Sequence, residues 1–93
     1  MKISSVVSVA QDVLFQEVNG ETVLLNLNNE SYFGLDQVGT RIWQLISEYG
    51  DPQKICAVMM EEYDVAEVQM QRDLNNLIAR LAEAGLVKVV TEK

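Results

Sequence analysis

Histidine is absent from this chain of 93 residues. With it go the commonest general base, the commonest metal ligand and any Ser–His or Cys–His nucleophile pair. Cysteine occurs once, as Cys56. No intrachain disulfide can form, which fits a reducing compartment. Positive charge is scarce: seven Lys and Arg face fourteen Asp and Glu, for a net charge of −7. Those seven, Lys2, Arg41, Lys54, Arg72, Arg80, Lys88 and Lys93, are scattered along the chain. Nucleic acid repels such a chain unless its cations cluster, so no nucleic-acid partner is expected. No apolar run approaches the roughly 18–20 residues that span a bilayer, so no membrane partner is expected either. Met1–Ala10 carries one lysine and a Val/Ile run broken by serines, a poor signal peptide. The expectation is a soluble cytoplasmic protein. Repeats, linkers and low-complexity segments are missing too. With 48% apolar residues, residues 1–93 read as one small folded domain.

What is present begins with two apolar-rich runs, Val13–Val18 and Glu21–Leu27, separated by Asn19-Gly20. Both turn residues tolerate positive φ, so the pair reads as a β-hairpin with a type I′ turn. A second turn at Asn28–Glu30 leads into a short strand, Ser31–Leu35. The three strands form a meander with Ser31–Leu35 at an edge. Alternation along the middle strand puts Val23, Leu25 and Leu27 on one face and Leu24 and Asn26 on the other. The first set is cleanly apolar and is expected to meet the helices.

Asp36 is placed to cap a helix whose stripe is Val38, Ile42, Leu45, Ile46 and Tyr49, with Gly50 ending it. Asp51-Pro52 restarts the chain as N-cap and first helical residue. Ile55, Val58, Met59 and Tyr63 form the inner face of that second helix. Asp64, with Glu67 at capping-box spacing, is expected to begin a third helix. Its stripe is Met70, Leu74, Leu77, Ile78 and Leu81, and Gly85 is its C-cap. Leu86–Val90 reads as a short terminal strand or wing. The predicted fold is α+β and winged helix-turn-helix-like: a three-stranded antiparallel meander, three helices, and a short C-terminal strand.

The segment Asn28–Gly39 carries the strongest functional signal. A short strand with one open edge, running straight into a helix, can accept another strand. Phe33 and Tyr32 point to opposite faces, so only one can enter the main core. Trp43 lies off the main stripe and is assigned to packing. Cys56 reads as a buried, inert thiol. Glu61, Glu62 and Asp64 lack calcium-loop spacing and read as solvated surface. No catalytic residue, metal ligand or cofactor is expected.

The runs Val13-Leu14-Phe15-Gln16-Glu17-Val18 and Val23-Leu24-Leu25-Asn26-Leu27, then Tyr32-Phe33-Gly34-Leu35-Asp36 with Gly39 and Ile42-Trp43, resemble the PqqD-like family. So do Glu61-Glu62-Tyr63-Asp64-Val65 and the ending Leu81 to Val87, with Ala84-Gly85-Leu86. The resemblance covers about Asp12 to Val90. It implies a precursor-peptide recognition element of ribosomally made, post-translationally modified peptides. Such elements look like winged helix-turn-helix domains but bind leader peptides rather than DNA. The leader adds as a strand to the third strand, in a groove also walled by the third helix. Free-standing members present it to a partner enzyme, such as a radical-SAM enzyme or the leader protease of lasso-peptide pathways. This sequence looks closer to the lasso-type and general PqqD-like members.

The candidate peptide-binding residues are then Ser31, Tyr32, Phe33, Gly34 and Leu35 on the strand. Across the groove the third helix offers Leu77, Ile78 and Leu81 at depth, and Asp73, Asn76 and Arg80 on an adjacent face form a polar rim. On pattern alone, Leu74, Leu77, Ile78 and Leu81 favour the core over a ligand. Two other functions stay open on the residues: a winged-helix DNA-binding regulator, and a generic interaction or dimerisation domain whose open edge pairs with itself. Arg72 and Arg80 are countered by Glu67, Asp73 and Glu83, which weighs against the first.

Overall fold

In the computed structural model, which describes residues 4–92, the elements run β1 (Ser4–Val9), β2 (Val13–Val18), β3 (Glu21–Asn26), β4 (Ser31–Leu35), α1 (Gln37–Glu48), α2 (Pro52–Glu62), α3 (Glu67–Glu83) and β5 (Val87–Glu92). The meander has the order β2-β3-β4, and β1 and β5 form a separate two-stranded sheet. All pairings are antiparallel. Asn19 and Gly20 both have positive φ, +55° and +82°, as a type I′ turn requires. They set the register from Val18↔Glu21 to Val13↔Asn26. β4 then pairs with β3 from Asn26↔Ser31 to Thr22↔Leu35.

Local chemistry starts and stops the helices. The Asp36 carboxylate accepts from the Gly39 N–H at 2.8 Å, satisfying one free donor of the first turn of α1. A Cβ on Gly39 would stand 3.3 Å from that carboxylate and 3.2 Å from the Leu35 side chain, so glycine lets strand and cap close together. Gly50, at φ +73°, turns the chain out of α1, and the Asp51 carboxylate caps α2 through the Gln53 N–H at 3.0 Å. At the end of α3, Gly85 takes φ +76°. The Gly85 and Leu86 N–H groups return to the carbonyls of Ala82 and Leu81 at 3.0 and 2.9 Å, a Schellman termination.

The core lies between the inner face of the meander and the helices. Leu24, Leu35, Ile42, Leu45, Ile46, Ile55, Met59, Met70, Leu74, Ile78 and Leu81 are buried in it, Val7 and Val87 join from the terminal sheet, and Leu86 joins from the turn before β5. Trp43 is buried as well. Its ring meets Phe15 edge-on at 6.1 Å. Its Nε1 has no hydrogen-bond partner among the described residues, so it holds the sheet by burial and edge contact alone. Cys56 is a buried free thiol, and burial, with Glu67 adding to it, pushes its pKa up.

Four expectations need correction. Ser4–Val9 is a strand, paired along its length with β5 from Val9↔Val87 to Ser4↔Glu92. Its partner lies at the other end of the chain, so no local hairpin signal announces it. The faces of β3 are the reverse of those expected: Thr22, Leu24 and Asn26 are buried, while Val23 and Leu27 are exposed and Leu25 is half-buried. Asn26 can sit inside because its amide donates to the Ala84 carbonyl at 3.0 Å and its carbonyl accepts from the Asn28 N–H at 2.9 Å. Helix α3 begins at Glu67 with Ala66 at its N-cap and no side-chain cap. Asp64, Val65 and Ala66 are non-helical and form the connection from α2. Val38 and Tyr49, at the ends of the α1 stripe, are exposed rather than core.

Candidate functional site

Because the sheet order is β2-β3-β4, β4 presents its far edge to no strand among the described residues. Two hollows lie beside that edge. The first, about 400 Å³, is lined by Phe33, Gly34, Leu35 and Asp36, by Val38, Gly39 and Ile42 of α1, and by Asp73, Leu77 and Arg80 of α3. The second, about 440 Å³, is lined by Ser31, Phe33, Arg80, Glu83 and Ala84. Phe33 and Arg80 belong to both. The Arg80 guanidinium lies 5.1 Å from the centre of the Phe33 ring, a cation–π contact that separates the two hollows.

The order of residues fixes the groove's direction. Leu35 and Asp36 share their hollow with Asp73, while Ser31 shares its hollow with Glu83 and Ala84. Helix α3 therefore runs opposite to β4 along the groove. Asp73, Leu77 and Arg80, spaced by four and three residues, fall on one helix face over about 10 Å. Phe33, Leu35, Leu77, Val38 and Ile42 supply the apolar part of the lining, and Asp36, Asp73 and Arg80 the charged part. The Asp36 end carries two carboxylates, and the Ser31 end carries Arg80 beside Glu83. Such a groove offers main-chain hydrogen bonds along an edge, apolar seats for alternate side chains, and a different charge at each end.

Of the residues anticipated from sequence, Phe33, Gly34, Leu35, Asp73, Leu77 and Arg80 meet around the first hollow and Ser31 lies at the second. Tyr32 sits opposite Leu25 in the register and so on the outer face of the sheet, where it is 73% exposed. Asn76 lines neither hollow. Ile78 and Leu81 lie in the core rather than in the groove. The wall supplied by Asp36, Val38, Gly39 and Ile42 was not anticipated. The cap and stripe residues at the start of a helix double as the end of the groove, and only the turn from β4 into α1 reveals this. Among the described residues, no group of three His, Cys, Asp or Glu could hold a metal ion, and no helix is long and apolar enough to cross a membrane.

Comparison with known proteins gives a consistent picture. The family model described as coenzyme PQQ synthesis protein D (PqqD) matches residues 21–87. The solved structure of TbiB1 in complex with the TbiA(beta) leader peptide is similar over 87% of this chain and 94% of that one, with 36% identity and a TM-score of 0.83. A lasso peptide synthetase B1 complexed with its leader peptide is similar over 88% of this chain and 96% of that one. Its TM-score is 0.80 at 21% identity, a likeness of fold. No curated protein matches the sequence.

Proposed function

Because the chain belongs to the PqqD family, we propose that it captures the leader region of a ribosomally made precursor peptide and presents it to a modifying enzyme. The observation that carries this reading is the free edge of β4 beside a groove with apolar seats and charged residues, in a fold shared with a 36%-identical protein solved with a leader peptide. Residues 1–93 act as a single peptide-recognition domain. The leader adds as a strand to β4, with Ser31, Phe33, Leu35 and Leu77 seating it and Asp73 and Arg80 meeting its charged or polar groups. Ordering a disordered leader costs on the order of 2–5 kcal/mol. Main-chain bonds along five residues of edge, with two or three apolar seats, are of the right size to offset that. Arg80 leaves or shares its place over Phe33 when a side chain enters.

The role is non-catalytic. Histidine is absent and the one thiol is buried, so neither a Ser–His or Cys–His pair nor an accessible thiolate is on offer. The chemistry falls to the enzyme that receives the leader, a leader protease or a radical-SAM type, and the lasso-type likeness favours the protease. A cytoplasmic setting suits a chain with a single free cysteine. Calorimetric titration with the leader of its cognate precursor tests the reading. Phe33→Glu should weaken binding by at least about tenfold, as expected for a central anchor, with the far-UV spectrum unchanged. Phe33→Ala, which places no charge against the core, should weaken it less. Unchanged affinity in both variants would show that this edge is not the site.

A further inference from the structure

The meander has a second face, and the groove does not use it. The register places Leu14, Leu25 and Tyr32 in one row across the three strands, Gln16, Val23 and Gly34 in the next, and Val18 with Glu21 beyond. All of these point away from the helices. Leu14, Val18, Val23 and Tyr32 are each more than half exposed. Gly34 adds no bulk: a Cβ built there would meet nothing within 4 Å. The result is an apolar field across three neighbouring strands, interrupted by Gln16 and bounded by Glu21.

The charges that the meander itself contributes are of one sign. From Ile3 to Thr40 the chain contains no lysine or arginine, while Asp12, Glu17, Glu21 and Glu30 fall within the meander and its turns. Asp12 and Glu30 stand in the turns at one end of the field, and Glu21 on the field at the other. Glu17 belongs to the opposite face, where it accepts from Gln44. Asp12, Glu21 and Glu30 have no ion-pair partner among the described residues.

We infer that this outer face docks a partner protein, the enzyme that acts on the captured precursor, through an apolar centre ringed by that enzyme's lysines and arginines. The naming of the enzyme rests on the leader-capture reading above; the surface does not. Two arguments select this occupant over a second copy. Self-pairing would set one acidic border against an identical one, and like charges face to face oppose association. Size points the same way. Three strands about 4.8 Å apart and five or six residues long make a field only roughly 10–15 Å by 20 Å. A stable interface needs about 800 Å² from each partner. The contact must therefore spread over the border, where only a basic partner is complementary.

Two titrations in parallel test this, one with the purified modifying enzyme and one with the leader peptide. The double variant Leu14→Thr/Val23→Thr keeps β-branched or strand-compatible side chains and removes the apolar centre. It should weaken enzyme binding by at least about tenfold and leave leader affinity unchanged. Glu21→Lys/Glu30→Lys should weaken enzyme binding and flatten its dependence on salt. The inference is overturned if both variants bind the enzyme like the parent, or if the parent binds leader but no enzyme. It is also overturned if sizing reveals a dimer that the threonine variant dissolves, since the occupant is then a second copy. If the parent binds enzyme but no leader, the leader-capture reading fails while the surface stands.

Discussion

The two faces of the meander differ in a way their sequences conceal. The outer row of β3 holds Val23 and Leu25 beside Glu21, yet Val23 is 52% exposed. The inner row, Thr22, Leu24 and Asn26, contains two polar residues, yet every member is buried. Apolar character alone would have placed them the other way round. For Asn26, what allows burial is a partner for its polar groups. Its amide reaches the Ala84 carbonyl 58 positions on, ties the sheet to the Schellman turn, and makes burial affordable. No such partner was visible in the sequence, because it lies at the end of another element.

The largest expected effect tests the inner face directly. Leu24, fully buried, should cost about 2–5 kcal/mol when changed to Ala, as large-to-small core substitutions do. Val23→Ala, one residue away, should stay within about 1 kcal/mol. Denaturant unfolding measures both, and similar losses would mean that the faces are not distinguished as described. Next is Asn26→Ala, expected to cost about 1–3 kcal/mol by leaving the Ala84 carbonyl and the Asn28 N–H without their partner. A loss under about 0.5 kcal/mol would show that Asn26 is tolerated inside rather than required there.

The smallest effect lies at the border of the inner face. Glu17 accepts from Gln44 at 2.8 Å, Gln44 accepts from Arg41 at 3.1 Å, and Arg41 donates to Glu62 at 2.7 Å. This polar chain links β2 to α1 and α2, whereas the acids bordering the outer face have no counterpart. The hydrogen bond from Arg41 holds the Glu62 carboxyl below the usual carboxylate range. A lowered folded-state pKa gives stability that is present above the unfolded value and lost as pH falls through the folded one. Glu62→Gln should therefore melt slightly lower at pH 7 and lose part of the parent's change in Tm between pH 5 and pH 3. Identical pH profiles would show the pair to be solvated and idle, as many exposed pairs are.

Much of the fold was legible because its signals are local. Asn19-Gly20 specified a hairpin, Asp36 and Asp51 each capped a helix, and Gly50 and Gly85 took the positive φ that ends one. The edge position of β4 followed from the meander, and with it the groove. The rest depends on distant partners. Strand β1 pairs with β5, so its serine-broken run had nothing nearby to define it. The start of α3 was drawn three residues early because Asp64 and Glu67 imitate a capping box. Tyr32 was grouped with its strand neighbours although alternation sends it to the outer face. Val38 and Ile42 were given wholly to the core although the turn after β4 places them at the groove.

The pairing of β1 with β5 also has a consequence in time. Val7 in β1 pairs with Val89 and is buried in the same core cluster as Leu86 and Val87, near the other end of the chain. A ribosome delivers the meander and the helices before it delivers β5. Until then β1 has no partner strand and one corner of the core stays open. Closing it requires a contact across nearly the whole chain, the slow kind for a small domain. The meander, built from neighbours, can form early. β1 is therefore made well before its partner and is among the last of these elements to find its place, and nascent chains stalled before Val87 should still be incompletely closed.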